Sequence, residues 1–293
     1  MKTQLDCFPC LIGQALNTAK KVAAEKEKIH TILKQVCLFL PTMSLDVTPS
    51  EFGREVYRIV SSVTGITDPF QDIKKLHTQQ ALKLYPKLKK QIQSSEDPLM
   101  TAIRISIAGN VIDFGTPEKF DMEKDLETIL KMDFAVNHYE AFCKALKEAD
   151  TILFIGDNAG ETVFDSLLIE ELGKPVTYAV RERPIINDAT FEDAVEAGID
   201  KVAEIFSSGC DAPGCILSLC SDKFLELYHS VDLIISKGQG NYEGLSDEIR
   251  PIFFLLKAKC SVVASDIGVP QGSIILKKAN NFDECLSPYS CSF

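Results

Sequence analysis

Hydrophobic positions change period part-way along the chain. Up to about Lys90 they recur at helical spacing: Cys10, Ala15, Ala19 and Val22; then Ile29, Ile32, Leu33, Val36 and Leu40; then Phe52, Val56, Ile59 and Val60. Pro41-Thr42, Pro49-Ser50 and Asp68-Pro69 punctuate these stretches, which predicts separate helices. Ser50 with Gly53 three residues later makes a poor capping box. The polar stretch Gln91 to Pro98 predicts a junction, so residues 1–95 are expected to form an α-helical bundle domain. Leu99 to Ile107 again has helical spacing. Beyond it, apolar runs near 151–155, 175–180, 201–205, 231–235, 260–265 and 273–277 alternate with helical segments. That alternation predicts an α/β fold, a three-layer α/β/α domain with a mostly parallel sheet over residues 96–279. Residues 280–293 carry no periodicity and are expected to be an irregular tail.

The densest chemistry follows two of these strands. Thr151-Ile152-Leu153-Phe154-Ile155 runs into Gly156-Asp157-Asn158-Ala159-Gly160-Glu161, and Val163, Leu167, Leu168 and Leu172 then mark a helix ending at Gly173. Lys174-Pro175 leads into a second strand, Val176 to Val180, and on through Arg183-Pro184 to Asn187-Asp188. This is a βαβ unit, whose strands run parallel and whose carboxyl-end loops are where such sheets bind ligands. Adjacent strands would bring Asp188 close to Asp157. Carboxylate and amide oxygens are hard ligands, suited to Mg²⁺ or Mn²⁺ rather than to thiolate-seeking ions. Taken singly, Asp157-Asn158 reads as a helix cap; the second Asn-Asp pair favours the ligand reading.

A comparable loop follows Val231-Asp232-Leu233-Ile234-Ile235, namely Ser236-Lys237-Gly238-Gln239-Gly240-Asn241-Tyr242-Glu243. A lysine beside glycines offers a cation and close backbone approach to a phosphoryl group. It is not the nucleotide-binding Gly-x-x-x-x-Gly-Lys-Ser/Thr sequence. A loop lysine by itself is most often a solvated charge, but a place at the end of a strand in the same sheet favours a functional one.

With these motifs the chain resembles the metal-dependent damage-control phosphatases, long known as domain of unknown function 89. The resemblance rests on Gly156 to Glu161, on Arg183-Pro184 with Asn187-Asp188, on Ser236 to Glu243, and on Gly109-Asn110 with Asp113 upstream. Cys7-Phe8-Pro9-Cys10 further resembles the prokaryotic branch of that family. The resemblance implies a divalent ion, Mg²⁺, Mn²⁺, Co²⁺ or Ni²⁺, held by Asp157, Asn158 and Asp188, with Lys237, Asn110 and Asn241 contacting phosphate. Hydrolysis of a phosphate monoester needs charge neutralisation on the phosphoryl oxygens and an aligned attacking oxygen. Lys237 and the backbone N–H groups around Gly160 and Glu161 are expected to hold those oxygens, and the attacker is either water or Asp157 itself. The expected catalytic set is Asp157, Asp188 and Lys237, and the expected substrate is a small phosphate ester such as a sugar phosphate or a damaged phosphometabolite.

The charge balance of 31 Lys plus Arg against 42 Asp plus Glu gives a net charge of −11, spread along the chain. Such a surface disfavours nucleic acid and anionic membrane; the cluster Lys83, Lys87, Lys89 and Lys90 reads as a solvated helix face. No apolar run reaches the length of a membrane span and no signal peptide is visible, so a cytoplasmic location is expected. Oligomeric state is not legible. The 4 histidines have no metal-ligand spacing, and no Gly-x-Ser-x-Gly elbow is present. Of 10 cysteines, Cys37, Cys143 and Cys260 sit in apolar contexts and are expected to be buried. Cys210, Cys215 and Cys220 flank a Gly- and Pro-bearing loop that reads as a substrate loop, with zinc or a disulfide as the other reading.

Other classes of function stay open. The same residues could form a regulator that binds metal and phosphate without turnover. Gly156 to Gly160 is also an imperfect version of the glycine turn over which S-adenosylmethionine sits in a carboxyl methyltransferase. Hydrolysis ranks first because the Asp188 and Lys237 loops have no task in methyl transfer.

Overall fold

The computed structural model describes residues 1–22, 25–111 and 127–279, with backbone only at 110 and 111. Helices α1 (Cys7–Val22), α2 (Lys26–Phe39) and α3 (Pro49–Thr64) pack around Leu11, Ala15, Ala19, Ile32, Val36, Phe52, Val56 and Val60. The stripe at 11, 15 and 19 is the i, i+4 face expected of a helix buried on one side. Helix α3 starts one turn-position earlier than Ser50 suggests. Thr48 is its N-cap and shares a reciprocal capping box with Glu51, with Pro49 in the first turn.

Helices α4 (Gln71–Gln93) and α5 (Pro98–Val111) lead into the sheet, and α4 contributes Ala81, Leu88 and Ile92 to the core beneath it. The strands are β1 (Phe134–Asn137), β2 (Ile152–Ile155), β3 (Val176–Val180), β4 (Glu204–Ser207), β5 (Leu233–Lys237), β6 (Ile252–Lys257) and β7 (Ile274–Lys278). They lie in the order β1-β7-β6-β5-β2-β3-β4, all neighbours parallel except β6 and β7. The interleaved helices are α6 (Tyr139–Glu148), α7 (Thr162–Leu172), α8 (Phe191–Ala197), α9 (Asp222–Ser230), α10 (Gly238–Leu245) and α11 (Ser261–Ile267).

Side chains alternate across the sheet. Ile152, Phe154, Val176, Tyr178, Leu233 and Ile235 face α4 to α8, whereas Leu153, Ile155, Ala179, Ile234 and Phe254 face α9 to α11. The result is the expected three-layer α/β architecture. Two details differ from the sequence reading. Residues 260–265 form not a strand but most of α11, where Cys260 accepts from the Val263 N–H as N-cap and Gly268, at φ 81°, ends the helix. The strand lies just before, at Ile252–Lys257, and β1 at the sheet edge was not foreseen. The expected tail, 280–293, lies outside the described residues. Among the described residues no helix is long and apolar enough to cross a membrane.

The chain runs outward from β2 through β3 to β4, then crosses back to place β5 on the other side of β2. That reversal opens a crevice over the carboxyl ends of β2 and β5. Helices α1 and α3 stand over it, so the crevice has a sheet floor and a helical wall.

Candidate functional site

The floor is built by loops that leave β2 and β3 side by side. Gly156 follows β2, and a Cβ there would lie 2.4 Å from the Tyr178 hydroxyl oxygen, so only glycine fits. The next residues are stitched to the β3 loop by backbone bonds: Ala189 N–H donates to Asp157 O at 2.8 Å, and Ala159 N–H to Asn187 O at 2.9 Å. Asn158 and Asp188 thereby form an isolated antiparallel bridge. A tight turn in which Asp188 N–H donates to Ile185 O at 3.0 Å aims the second acid. Ile186 in that turn has φ 46°, a strained conformation for a β-branched residue. Asp157, Asn158 and Asp188 all line a cleft of about 560 Å³.

Arg181, the first residue after β3, lies under this floor at 2% exposure. Its Nε donates to Asp188 Oδ2 at 2.8 Å and its Nη2 to Asn241 Oδ1 at 2.7 Å. Burial pushes the Asp188 carboxyl up to about 7, with Asp157 adding to the rise and Arg181 opposing it. Asn241 is fully buried and was expected to touch phosphate. Its Nδ2 instead donates to Gly156 O at 2.9 Å and Lys237 O at 2.7 Å, and its Oδ1 also accepts from Cys215 N–H at 2.8 Å. The amide has no hydrogen-bonding capacity left for a ligand.

Lys237 is also away from the phosphate position expected of it. Its side chain is 0% exposed, and its ammonium donates to Glu161 Oε1, to Asp165 Oδ1 at 2.6 Å and to Ser106 O at 3.1 Å. All three donors are taken. Asp165 Oδ1 also accepts from Ser106 Oγ at 2.7 Å, and its Oδ2 accepts from Tyr178 Oη at 2.8 Å. Burial raises the Asp165 carboxyl to about 6 against the pull of Lys237. Glu161 turns its other oxygen to Asn158, whose Nδ2 donates to Glu161 Oε2 at 3.1 Å and to Asp157 Oδ2 at 3.0 Å. Lys237 thus reaches the cleft floor by way of Glu161 and the Asn158 amide. Gly160 is likewise buried beneath the loop. The side chain of Asn110, and Asp113, lie outside the described residues.

The cleft holds residues that spacing did not single out. Glu243, 9% exposed, lines it from α10, its oxygens accepting from Gln239 Nε2 at 2.9 Å and Ser50 Oγ at 3.0 Å. Gln239 and Gly240 bring the first turn of α10 to the same wall, and no side chain caps that helix. The 209–215 loop lies against it so closely that a Cβ on Gly214, at φ 138°, would come within 2.3 Å of Gly240 O. Pro213 of this loop reaches the cleft, while Cys210 and Cys215 are buried behind it. The Cys215 and Cys220 sulfurs are 3.8 Å apart, a thiol hydrogen-bond contact and not a disulfide, and among the described residues no group of three or more His, Cys, Asp or Glu side chains is placed to hold a metal ion. Cys37 is exposed, contrary to expectation, and Cys260 lines the cleft.

With this geometry in hand, similarity to known proteins is extensive. The family model for the damage-control phosphatase ARMT1-like domain matches residues 3–275. The chain is 33% identical over 284 residues to a protein of Pyrococcus horikoshii named damage-control phosphatase, covering 94% of this chain and 97% of that one. It is 34% identical over 285 residues to a protein of Archaeoglobus fulgidus with the same name, covering 94% and 99%. An uncharacterized protein of Methanocaldococcus jannaschii is 35% identical over 291 residues, covering 95% and 96%. The crystal structure of a DUF89 family protein from Pyrococcus horikoshii superposes with a TM-score of 0.88 at 32% identity, covering 96% of this chain and all of that one.

The buried triad makes a stability prediction. Lys237→Met leaves Glu161 and Asp165 without their cation, a change expected to cost about 3–5 kcal/mol in urea unfolding. Without Lys237 the Asp165 carboxyl rises further above its unfolded value, so the folded state binds more protons and the variant regains stability as pH falls from about 8 to 5. A loss below about 1 kcal/mol, or one independent of pH, would contradict the pairing.

Proposed function

The chain belongs to the damage-control phosphatase ARMT1-like family, and on that premise we propose that it is a divalent-metal-dependent phosphatase acting on small phosphorylated metabolites. The observation that carries this proposal is the Asn158–Asp188 bridge, which puts Asp157, Asn158 and Asp188 together on one cleft floor. The donor set fits a hard cation. The Asn158 nitrogen is committed to Asp157 and Glu161, which turns its oxygen away from those carboxylates. Arg181 engages Asp188 through Oδ2, leaving Oδ1 for another partner.

Asp157, Asn158 and Asp188 would hold a Mg²⁺, Mn²⁺, Co²⁺ or Ni²⁺ ion, which would supply charge neutralisation for the phosphoryl group and Lewis acidity for the attacking water. The uncapped first turn of α10 presents backbone N–H groups and the positive end of a helix to the cleft, a site suited to phosphoryl oxygens. Arg181 keeps Asp188 aligned and, through Asn241, holds the start of α10 against the end of β2. Lys237 serves by fixing Glu161, which in turn orients the Asn158 amide. The ester's organic part lies against α1 and α3, in a cleft whose volume of about 560 Å³ suits a small metabolite.

Metal-stripped protein is expected to hydrolyse p-nitrophenyl phosphate only after one of these ions is added, and Asp157→Ala and Asp188→Ala to lose about 100-fold or more. Because Asp188 must shed the proton it holds up to about 7, ion affinity measured by calorimetry should rise as pH increases through that value. Folded protein inactive with every ion would overturn the proposal. Water as attacker predicts that no phosphoryl-enzyme forms during a single turnover; an aspartyl-phosphate trapped at Asp157 by borohydride reduction would assign the attack to its carboxylate.

A further inference from the structure

Breaking a phosphate ester leaves negative charge on the departing oxygen, and an alkoxide leaves poorly unless it is protonated as it goes. Neither Asp188, engaged by Arg181, nor the buried Lys237 is free to do this. No histidine lines the cleft among the described residues. Cys7 and Cys10 do, but burial pushes both thiols upward, making them weak proton donors, and Lys259 and Asp6 line the cleft as exposed side chains that no hydrogen bond or ion pair among the described residues holds in place.

We propose that Glu243 is the general acid that protonates the leaving oxygen, an assignment that rests on the phosphatase function proposed above. Glu243 lies one helical turn beyond Gln239, on the β5 side of the crevice, and shares the cleft with Asp157, Asn158 and Asp188, which lie on the loops after β2 and β3. Its carboxyl is gripped from two directions, by Gln239 on its own helix and by Ser50 on α3. A proton donor needs this kind of fixed aim. The charged and titratable groups that share its cleft are Asp6, Asp157, Asp188, Lys259, Cys7, Cys10 and Cys260, with the Met1 amine beyond them. Burial raises the Glu243 carboxyl above its ordinary value and Asp157 adds to the rise, while the Gln239 and Ser50 hydrogen bonds and the Met1 amine oppose it. The net shift keeps a proton available at higher pH than an exposed glutamate would.

The step balances as follows. Water forms the new P–O bond; the old P–O bond breaks with its electron pair going to the leaving oxygen; that oxygen takes the Glu243 proton and departs as alcohol. The proton shed by the attacking water returns through solvent to the Glu243 carboxylate.

The test compares wild type with Glu243→Gln, which keeps the shape and can keep both hydrogen bonds, across p-nitrophenyl, phenyl and benzyl phosphates with added Mn²⁺. Nitrophenolate needs no proton to leave and benzyl alkoxide does. The variant's rate relative to wild type is expected to fall about 100-fold from the first ester to the last, with Mn²⁺ affinity by calorimetry altered less than about threefold. A relative rate that is the same for all three esters would overturn the assignment, since a structural or binding role does not discriminate by leaving group. A drop in Mn²⁺ affinity of more than about tenfold would place Glu243 in the cation seat instead. Wild type inactive on every ester would sink the phosphatase function itself, and the acid with it.

Discussion

A guanidinium buried at the end of a strand organises this molecule. Arg181 carries a full charge at 2% exposure, an arrangement that burial alone would make prohibitively unfavourable. It is tolerated because Asp188 and Asn241 meet it at 2.8 and 2.7 Å. Those partners belong to different segments. Asp188 closes the loop after β3, and Asn241 sits in the first turns of α10 after β5, with its amide tied back to Gly156 at the end of β2. One cation thus ties together three adjacent strand ends. The tie is not fully economical, since Nη1 of Arg181 has no hydrogen-bond partner among the described residues.

A second buried cation works on the other side of the same loops. Lys237 lies behind β2, held by Glu161 and Asp165, and the free oxygen of Glu161 fixes Asn158. The cleft floor is therefore clamped between two ion clusters, and its carboxylate and amide oxygens are oriented before any ligand arrives. Pre-set dipoles and charges of this kind spare a site the reorganisation that water would require. The helical wall adds the remaining contact, because Ser50 at the start of α3 bonds Glu243 across the crevice.

Much of this was legible in the chain. Apolar runs ending in Gly156-Asp157-Asn158 and in Asn187-Asp188 identify parallel strand ends, and adjacency in a βαβ unit follows from topology. The family resemblance was carried by the same residues. Less legible was the direction in which each side chain points. Lys237 looked like a phosphate contact because it ends β5, yet strand alternation puts it on the face of Leu233 and Ile235, which is covered by helices. That period-2 signal was available and points away from the cleft. The apolar run near 260–265 suggested a strand, but the Cys260 cap and Gly268 bound a helix there. Glu243 stood out from no spacing rule, since its importance depends on Ser50, far away in sequence.

The cation seat is the claim on which the chemistry depends, and anomalous diffraction from crystals soaked in Mn²⁺ tests it most directly. The account predicts a single strong peak at coordination distance, about 2 Å, from oxygens of Asp157, Asn158 and Asp188, absent in Asp157→Ala. A peak at the Cys210–Cys220 loop with none at the cleft floor, or no ordered ion at all in crystals that retain the fold, would contradict it.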